Sequence, residues 1–352
     1  MKVIAVVGLS KNCGKTTFLN WSLGTGAWSL ELGDGRREFP SPISHLPSPI
    51  SQLIGVTTTG RDGEDIDLVT HEKKPKVKLP AGVYFTAFEN VFNEKAVWIE
   101  GICKLPFRVI GKNLWLYNTL GVVETEIVGP SHLKEQELLI DIFEKYGCDT
   151  VLIDGSLDRK SICMSERVEE IVLVVGAAAG SIAEIREQTE MVLMYSSCKA
   201  CLAEMCLLKN ITYKVGENPP YPSLKRREIV ETDIKSIYGH ENSIIDILKQ
   251  EPEWVYFPGA LTEFSWKRLK KYMLDFKGKI IFNHPLNMRI GLKDLKEIIQ
   301  TNKVYSRMRF NLSCVAVNAY SPYGEHIDAD ILREEMRKMF TDKEVIDVTE
   351  VC

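Results

Sequence analysis

The chain has 352 residues, 45% of them hydrophobic and 26% charged, a balance that supports packed cores and argues against a disordered or fibrous chain. A net charge of −4 and a pI of about 6.0 leave no basic excess of the kind that binds nucleic acid or an anionic membrane. No apolar run is long enough to span a bilayer, the run after Met1-Lys2 is too short for a secretory leader, and the nine cysteines are scattered; the expected setting is the cytoplasm, with reduced thiols and with neither a membrane nor a nucleic-acid partner.

Val3–Val7 is the first predicted strand. It runs into Gly8-Leu9-Ser10-Lys11-Asn12-Cys13-Gly14-Lys15-Thr16-Thr17, and a helix-compatible stretch, Thr17-Phe18-Leu19-Asn20-Trp21, follows. Strand, glycine-bearing loop, Gly-Lys-Thr and helix in that order form the context of a phosphate-binding loop. Successive backbone N–H groups and the positive helix end would gather phosphate oxygens, Gly14 would let the backbone approach without a Cβ, and Lys15 would reach the outer phosphates. The Thr16 hydroxyl is placed to ligate Mg²⁺. The alternative is a strand-to-helix turn that merely contains Gly-Lys-Thr-Thr. Five residues separate Gly8 from Gly14, where the common pattern has four, and Leu9 stands at the usual first-glycine position.

Residues 24–51 are rich in Gly, Ser and Pro and read as a loop, because prolines at that density exclude a regular helix or central strand. From about Ile54 to Val128 the apolar residues alternate in short segments such as Gly82-Val83-Tyr84-Phe85-Thr86, which predicts an antiparallel β insertion. Within it, Gly60-Arg61-Asp62-Gly63-Glu64-Asp65-Ile66-Asp67 gathers carboxylates that suit a hard cation, Asp62 and Asp65 foremost; a solvated acidic turn is the competing reading.

Beyond Val128, helices are expected at Leu133–Tyr146, Ser181–Tyr195, Ser243–Gln250, Ser265–Phe276, Leu292–Gln300 and Asp328–Phe340. The first would place Leu138, Leu139, Ile142 and Phe143 on one face. Continuous apolar strands are expected at Val151–Ile153, Ile171–Val175, Val255–Phe257, Ile280–Phe282 and Cys314–Val317. Strands of that kind are buried on both faces of a parallel sheet covered by helices. The strand ending in Asp154-Gly155 supplies the candidate Mg²⁺ carboxylate, since ligands collect at the C-terminal edge of such sheets; the alternative is an aspartate capping the next turn. Arg159 and Lys160 are candidates for facing phosphates; two ordinary surface charges after a turn are the competing reading. Asn318, and alternatively Asn283, could hydrogen-bond a nucleobase from a strand end or serve as turn residues. Cys198 and Cys201 are spaced one helical turn apart, without the second pair a four-thiolate zinc site needs.

The expected class is therefore α/β: a mostly parallel sheet flanked by helices, plus the antiparallel insertion. The expected division is 1–53 for the loop-bearing start, 54–130 for the insertion and 131–352 for the rest of the same domain. The spacing around Gly8 and Gly14 resembles the dethiobiotin synthetase and cobyrinic acid amidase group of P-loop proteins, within the class that includes the MinD-like ATPases. Lys11 lies one residue closer to Gly14-Lys15 than the signature lysine of the latter. Taken with Gly60 to Asp67, Lys73-Lys74-Pro75-Lys76, Gly129-Pro130-Ser131, Ile153 to Ser161 and Val317-Asn318-Ala319-Tyr320-Ser321-Pro322, the chain more specifically resembles one subunit of the reactivating factor for lysine 5,6-aminomutase. That resemblance implies a cytoplasmic accessory protein that binds ATP and Mg²⁺. Gly8, Lys11, Asn12, Cys13, Gly14, Lys15, Thr16, Thr17 and Asn318 would lie at the nucleotide, Lys15 and Asp154 would act in turnover, and Thr16, Asp154 and Asp62 would lie at the metal. The implied partners are a second reactivase subunit and the adenosylcobalamin-dependent aminomutase. A small-molecule ligase or kinase of the dethiobiotin synthetase type, and a non-hydrolysing regulatory protein, stand as alternatives.

Overall fold

The computed structural model describes residues 1–24, 53–59, 76–91, 97–156, 162–201, 209–215, 228–321 and 327–348. The chain divides into two compact units: residues 1–186 with 312–352, and residues 187–311.

In the first unit the chain order is β1 (Lys2–Gly8), α1 (Lys15–Ser22), β2 (Ile54–Thr58), β3 (Val77–Leu79), β4 (Val83–Phe88), β5 (Ile99–Val109), β6 (Lys112–Thr119), β7 (Val123–Thr125), α2 (Leu133–Lys145), β8 (Thr150–Ser156) and β9 (Glu170–Gly176). The division falls within α3 (Ile182–Ser197). The second unit follows with β10 (Lys199–Ala200), β11 (Thr212–Lys214), β12 (Ile229–Glu231), α4 (Glu241–Leu248), β13 (Trp254–Phe257), β14 (Leu261–Thr262), α5 (Glu263–Asp275), β15 (Lys279–Phe282), β16 (Met288–Arg289), α6 (Leu292–Gln300) and β17 (Val304–Ser306). The chain then returns to the first unit with β18 (Leu312–Asn318), α7 (Ala329–Met339) and β19 (Glu344–Asp347).

The first unit is built on a nine-stranded sheet of order β19-β18-β9-β1-β8-β2-β4-β6-β5. Every neighbouring pair from β19 to β4 is parallel, and β6 and β5 close one edge antiparallel. The central strands are buried on both faces: Val3, Ala5 and Val7 are as inaccessible as Ile4 and Val6. Phe18 and Leu19 of α1 join the cluster around Ile4, Val6, Leu152 and Val174. Gly55 of β2 instead meets the ring of Phe143 from α2: a Cβ there would stand 2.6 Å from the ring. Edge strand β5 is blunted. Lys104 pairs with Trp115 and Arg108 with Asn113, so β5 spends two more residues than β6 between these pairs, with Pro106 among them. A bulged, charged, proline-bearing edge resists pairing with another chain. The bulge opens an outward concavity of about 370 Å³ lined by Lys104, Pro106, Arg108 and Asn113 among others.

The second unit has its own six-stranded sheet, β10-β17-β15-β13-β11-β12, parallel from β10 to β13, around Trp254, Tyr256 and Ile281. This departs from the expectation that 131–352 completes one domain. The apolar strands of the two sheets look alike in sequence, and only long-range pairing tells which sheet each joins.

The 54–130 segment also departs from an antiparallel insertion. β2 and β4 are parallel members of the main sheet; among the described residues of the segment, only the β5–β6 hairpin, its pairing to β4 and the β3–β7 pair are antiparallel. The physical reason lies in two threonines. Thr86 ends the alternating Gly82–Thr86 segment, yet it and Thr57 are fully buried and their hydroxyls meet at 2.7 Å, so polar side chains are satisfied inside the sheet's core.

Helix α2 shows a similar shift. Gln136, Leu139, Ile140 and Phe143 are its buried residues, whereas Leu138 is 44% exposed. Leu139→Ala is expected to cost about 2–5 kcal/mol through the cavity it leaves, and Leu138→Ala less than about 0.5 kcal/mol. Urea unfolding midpoints measure both; equal losses would overturn this orientation of α2.

Cys198 and Cys201 do not share a helical turn: α3 ends at Ser197 and residues 199–200 pair as β10. The described cysteines are free thiols, and burial pushes Cys148 and Cys163 up to about 12 and Cys198 up to about 11. Among the described residues, no helix is long and apolar enough to cross a membrane.

Candidate functional site

The candidate site lies where the parallel strands of the first unit end. β1 sits between β8 and β9, with Val6 beside Asp154 and Gly8 beside Ser156 on one side and Val174 on the other. Asp154 is also beside Thr58 of β2, and its backbone carbonyl accepts the Thr59 N–H at 2.8 Å. Asn318 at the end of β18 is level with Gly176 at the end of β9. Thus Gly8, Asp154, Gly176 and Asn318, far apart in sequence, share one sheet edge.

Between β1 and α1 the chain makes a tight loop. It is pinned at its start by the Leu9 N–H on the Val174 carbonyl at 3.1 Å. Asn12 and Gly14 both adopt left-handed backbone angles, with φ of 58° and 101°. Alternation of left-handed with other conformations turns successive N–H groups toward one side, the arrangement that concentrates an anion. Gly14 is the N-cap of α1, which has no side-chain cap. The Phe18 N–H makes an early helical bond, to the Gly14 carbonyl at 2.9 Å, and the amides of the first helical turn have no intrahelical acceptor.

The loop wraps around Cys13, which is fully buried. A Cβ on Gly8 would stand 2.2 Å from the Cys13 sulfur and 3.3 Å from Cδ of Lys15, and a Cβ on Gly176 would stand 2.2 Å from the Cys13 carbonyl oxygen. Burial pushes the Cys13 thiol up, with the nearby Lys15 charge and the N–H groups of Ser10 and Lys15 opposing and the Asp154 carboxylate adding to the rise. Lys15 and Thr16 are half-buried; Lys11 and Thr17 are exposed. One carboxylate oxygen of Asp154 is buried.

Two flanking contacts were given no role by the sequence reading. Gly129 approaches the end of β2 so closely that a Cβ would stand 1.9 Å from the Thr58 carbonyl oxygen. The buried Gln136 donates from Nε2 to that carbonyl at 2.9 Å and to the Pro130 carbonyl. Together they fix the strand end beside Asp154. A glycine followed by proline was the visible signal, but nothing local says which strand it meets.

Asn318 lies against the loop, with its Nδ2 donating to the Cys13 carbonyl at 3.4 Å. Asn283 belongs to the second unit, where its Oδ1 accepts from the Tyr256 hydroxyl at 3.1 Å and from Arg307 Nε at 2.7 Å. Asp62, Asp65, Arg159 and Lys160 lie outside the described residues. Among the described residues, no group of three or more His, Cys, Asp or Glu stands ready to hold a metal by itself. Mg²⁺ carried by a nucleotide needs only one or two protein oxygens, because phosphates and water supply the rest; Thr16 and Asp154 are of that type and number.

No protein-family model matches this chain, and neither curated proteins nor solved structures yield a match.

Proposed function

We propose that the chain binds a nucleoside triphosphate, ATP, together with Mg²⁺ at the Gly8–Thr17 loop. One observation carries the reading: a loop with left-handed Asn12 and Gly14 leads from the central strand into an uncapped helix, directly beside β8, where Asp154 is level with Val6 two residues before the strand ends at Ser156. The loop amides hold the phosphate chain and Lys15 adds a point charge to its outer end. Thr16 and Asp154 lie at the metal, directly or through water. Mg²⁺ held there would supply neutralisation of the charge on the phosphate oxygens. Cys13 excludes water from beneath the loop and keeps its turn compact.

The ATP-dependent step then drives a conformational cycle in an accessory protein. That role comes from the resemblance of several segments to the reactivating subunit for lysine 5,6-aminomutase, with the adenosylcobalamin enzyme as client and nucleotide state biasing affinity for it. The second compact unit supports it too, since the chain carries a further folded body with its own sheet.

Asp154→Ala is expected to lower Mg²⁺-dependent turnover by about a hundredfold, the scale of losing one preorganised charge-stabilising group, while nucleotide affinity changes little. Single-turnover hydrolysis beside equilibrium binding separates the two; an unchanged rate would move the metal role to Asp62 or Asp65. For the client, ATP turnover is measured with and without the aminomutase carrying inactivated cobalamin. Stimulation and restored aminomutase activity are expected. No stimulation, together with turnover on a small carboxylic acid, would favour a ligase.

A further inference from the structure

We infer that Asn318 positions the phosphate-binding loop and does not read the nucleobase, an inference that rests on the nucleotide reading above. A base-reading asparagine presents its amide nitrogen and oxygen together to the edge of adenine. Asn318 has neither the exposure nor the free geometry for that. It is 4% exposed. Its Nδ2 donates to the Cys13 carbonyl at 3.4 Å, and its Oδ1 accepts the Tyr320 N–H at 3.3 Å.

The rest of the side chain is pressed against Gly14. A Cβ on Gly14 would stand 2.2 Å from Asn318 Nδ2, 2.7 Å from its Cγ and 2.8 Å from its Cβ. Glycine at 14 thus has two causes: a φ of 101° and an amide occupying the space of any side chain. Gly176, level with Asn318 on the adjacent strand, meets the backbone of Cys13 in the same way. Two neighbouring strand ends form one seat, with Asn318 against Gly14 and Gly176 against Cys13. That seat holds the loop in a left-handed turn. Rigid pre-arrangement of donors raises affinity by lowering the cost of ordering them on binding.

The two roles make opposite demands on a ligand without a base. Equilibrium affinities for Mg²⁺ complexes of ATP, GTP and inorganic tripolyphosphate are measured on the full chain, for the wild type, Asn318→Ala and Asn318→Asp. Loss of the seat is expected to weaken all three ligands alike, by about tenfold, which corresponds to about 1.4 kcal/mol. Asn318→Asp keeps the shape but turns an acceptor toward the Cys13 carbonyl, and is expected to lose at least as much. Melting curves and circular dichroism accompany each variant, because simple destabilisation lowers the melting temperature without changing the affinity of the folded fraction. Unchanged tripolyphosphate affinity, with ATP weakened relative to GTP, would make Asn318 a base reader and overturn the inference. So would wild-type affinity in Asn318→Asp, or a wild type that binds nucleotides but not tripolyphosphate. A wild type that binds none of the three would defeat the nucleotide reading itself, a result distinct from the others.

Discussion

Lys15→Ala is expected to leave the fold intact and to abolish triphosphate binding, with affinity falling by more than about a hundredfold, which corresponds to about 2.7 kcal/mol. The fold should survive because Lys15 begins α1, is only half-buried, and alanine is the best helix former. Affinity should not survive, because the backbone amides supply partial charges whereas Lys15 supplies the one full charge of the Gly-Lys-Thr element. Charge-assisted hydrogen bonds to phosphate are about twice as strong as neutral ones. The loop also guides this side chain. Gly8 has no Cβ, and the Lys15 chain passes through the space beside it, with Cδ 3.3 Å from where that Cβ would be. Calorimetric titration with Mg-ATP gives the affinity, and circular dichroism checks the fold. Intact affinity in a folded variant would remove the loop from the phosphate site.

Gly176→Val is the second substitution expected to have a large effect, and it tests the seat under the loop. Its backbone is extended, with φ of −123° and ψ of 152°, which any residue adopts without strain. The requirement for glycine is therefore purely one of space. A Cβ would stand 2.2 Å from the Cys13 carbonyl oxygen and 2.5 Å from its Cα. These are backbone atoms that cannot swing away as a side-chain tip can, and Cys13 is itself enclosed by Gly8. Overpacking of this kind costs about 1–3 kcal/mol, and relief requires the loop to lift from β9. Lower stability and lost triphosphate affinity should therefore appear together, measured by denaturant unfolding and ligand titration. A variant with wild-type stability and affinity would show that the loop is not seated on β9. Gly14 differs, since its left-handed angle would penalise any side chain even in open space.

Much of the candidate site was legible in local sequence because its determinants are local. A buried strand, a glycine-bearing loop and a helix after it need only a short stretch of chain, and they follow in the expected order; the left-handed angle of Gly14 and the helix start at Lys15, two residues before the expected stretch, came from the structure. The single helices were legible for the same reason, since their apolar spacing is a property of the helix itself. The face of α2 was misjudged at Leu138 because Leu138 and Leu139 are equally apolar, and only the sheet beneath decides which is covered.

By itself, then, the sequence determined the helices, the continuous apolar strands and the loop with its glycines and lysine; Asp154 it placed at a strand end, whereas β8 runs on to Ser156. Tertiary structure alone decided their neighbours: β8 beside β1, which puts Asp154 beside Val6 and Ser156 beside Gly8; β9 and β18 under the loop; and 187–311 as a unit with its own sheet. The reason is that backbone pairing between strands carries almost no residue code. Any buried apolar strand can lie beside any other until loop length, crossover and side-chain packing select one order. Asn318 illustrates the difference: its place at a strand end could be read from the chain, but its contact with Gly14, three hundred and four residues away in numbering, exists only once β18 has joined the sheet.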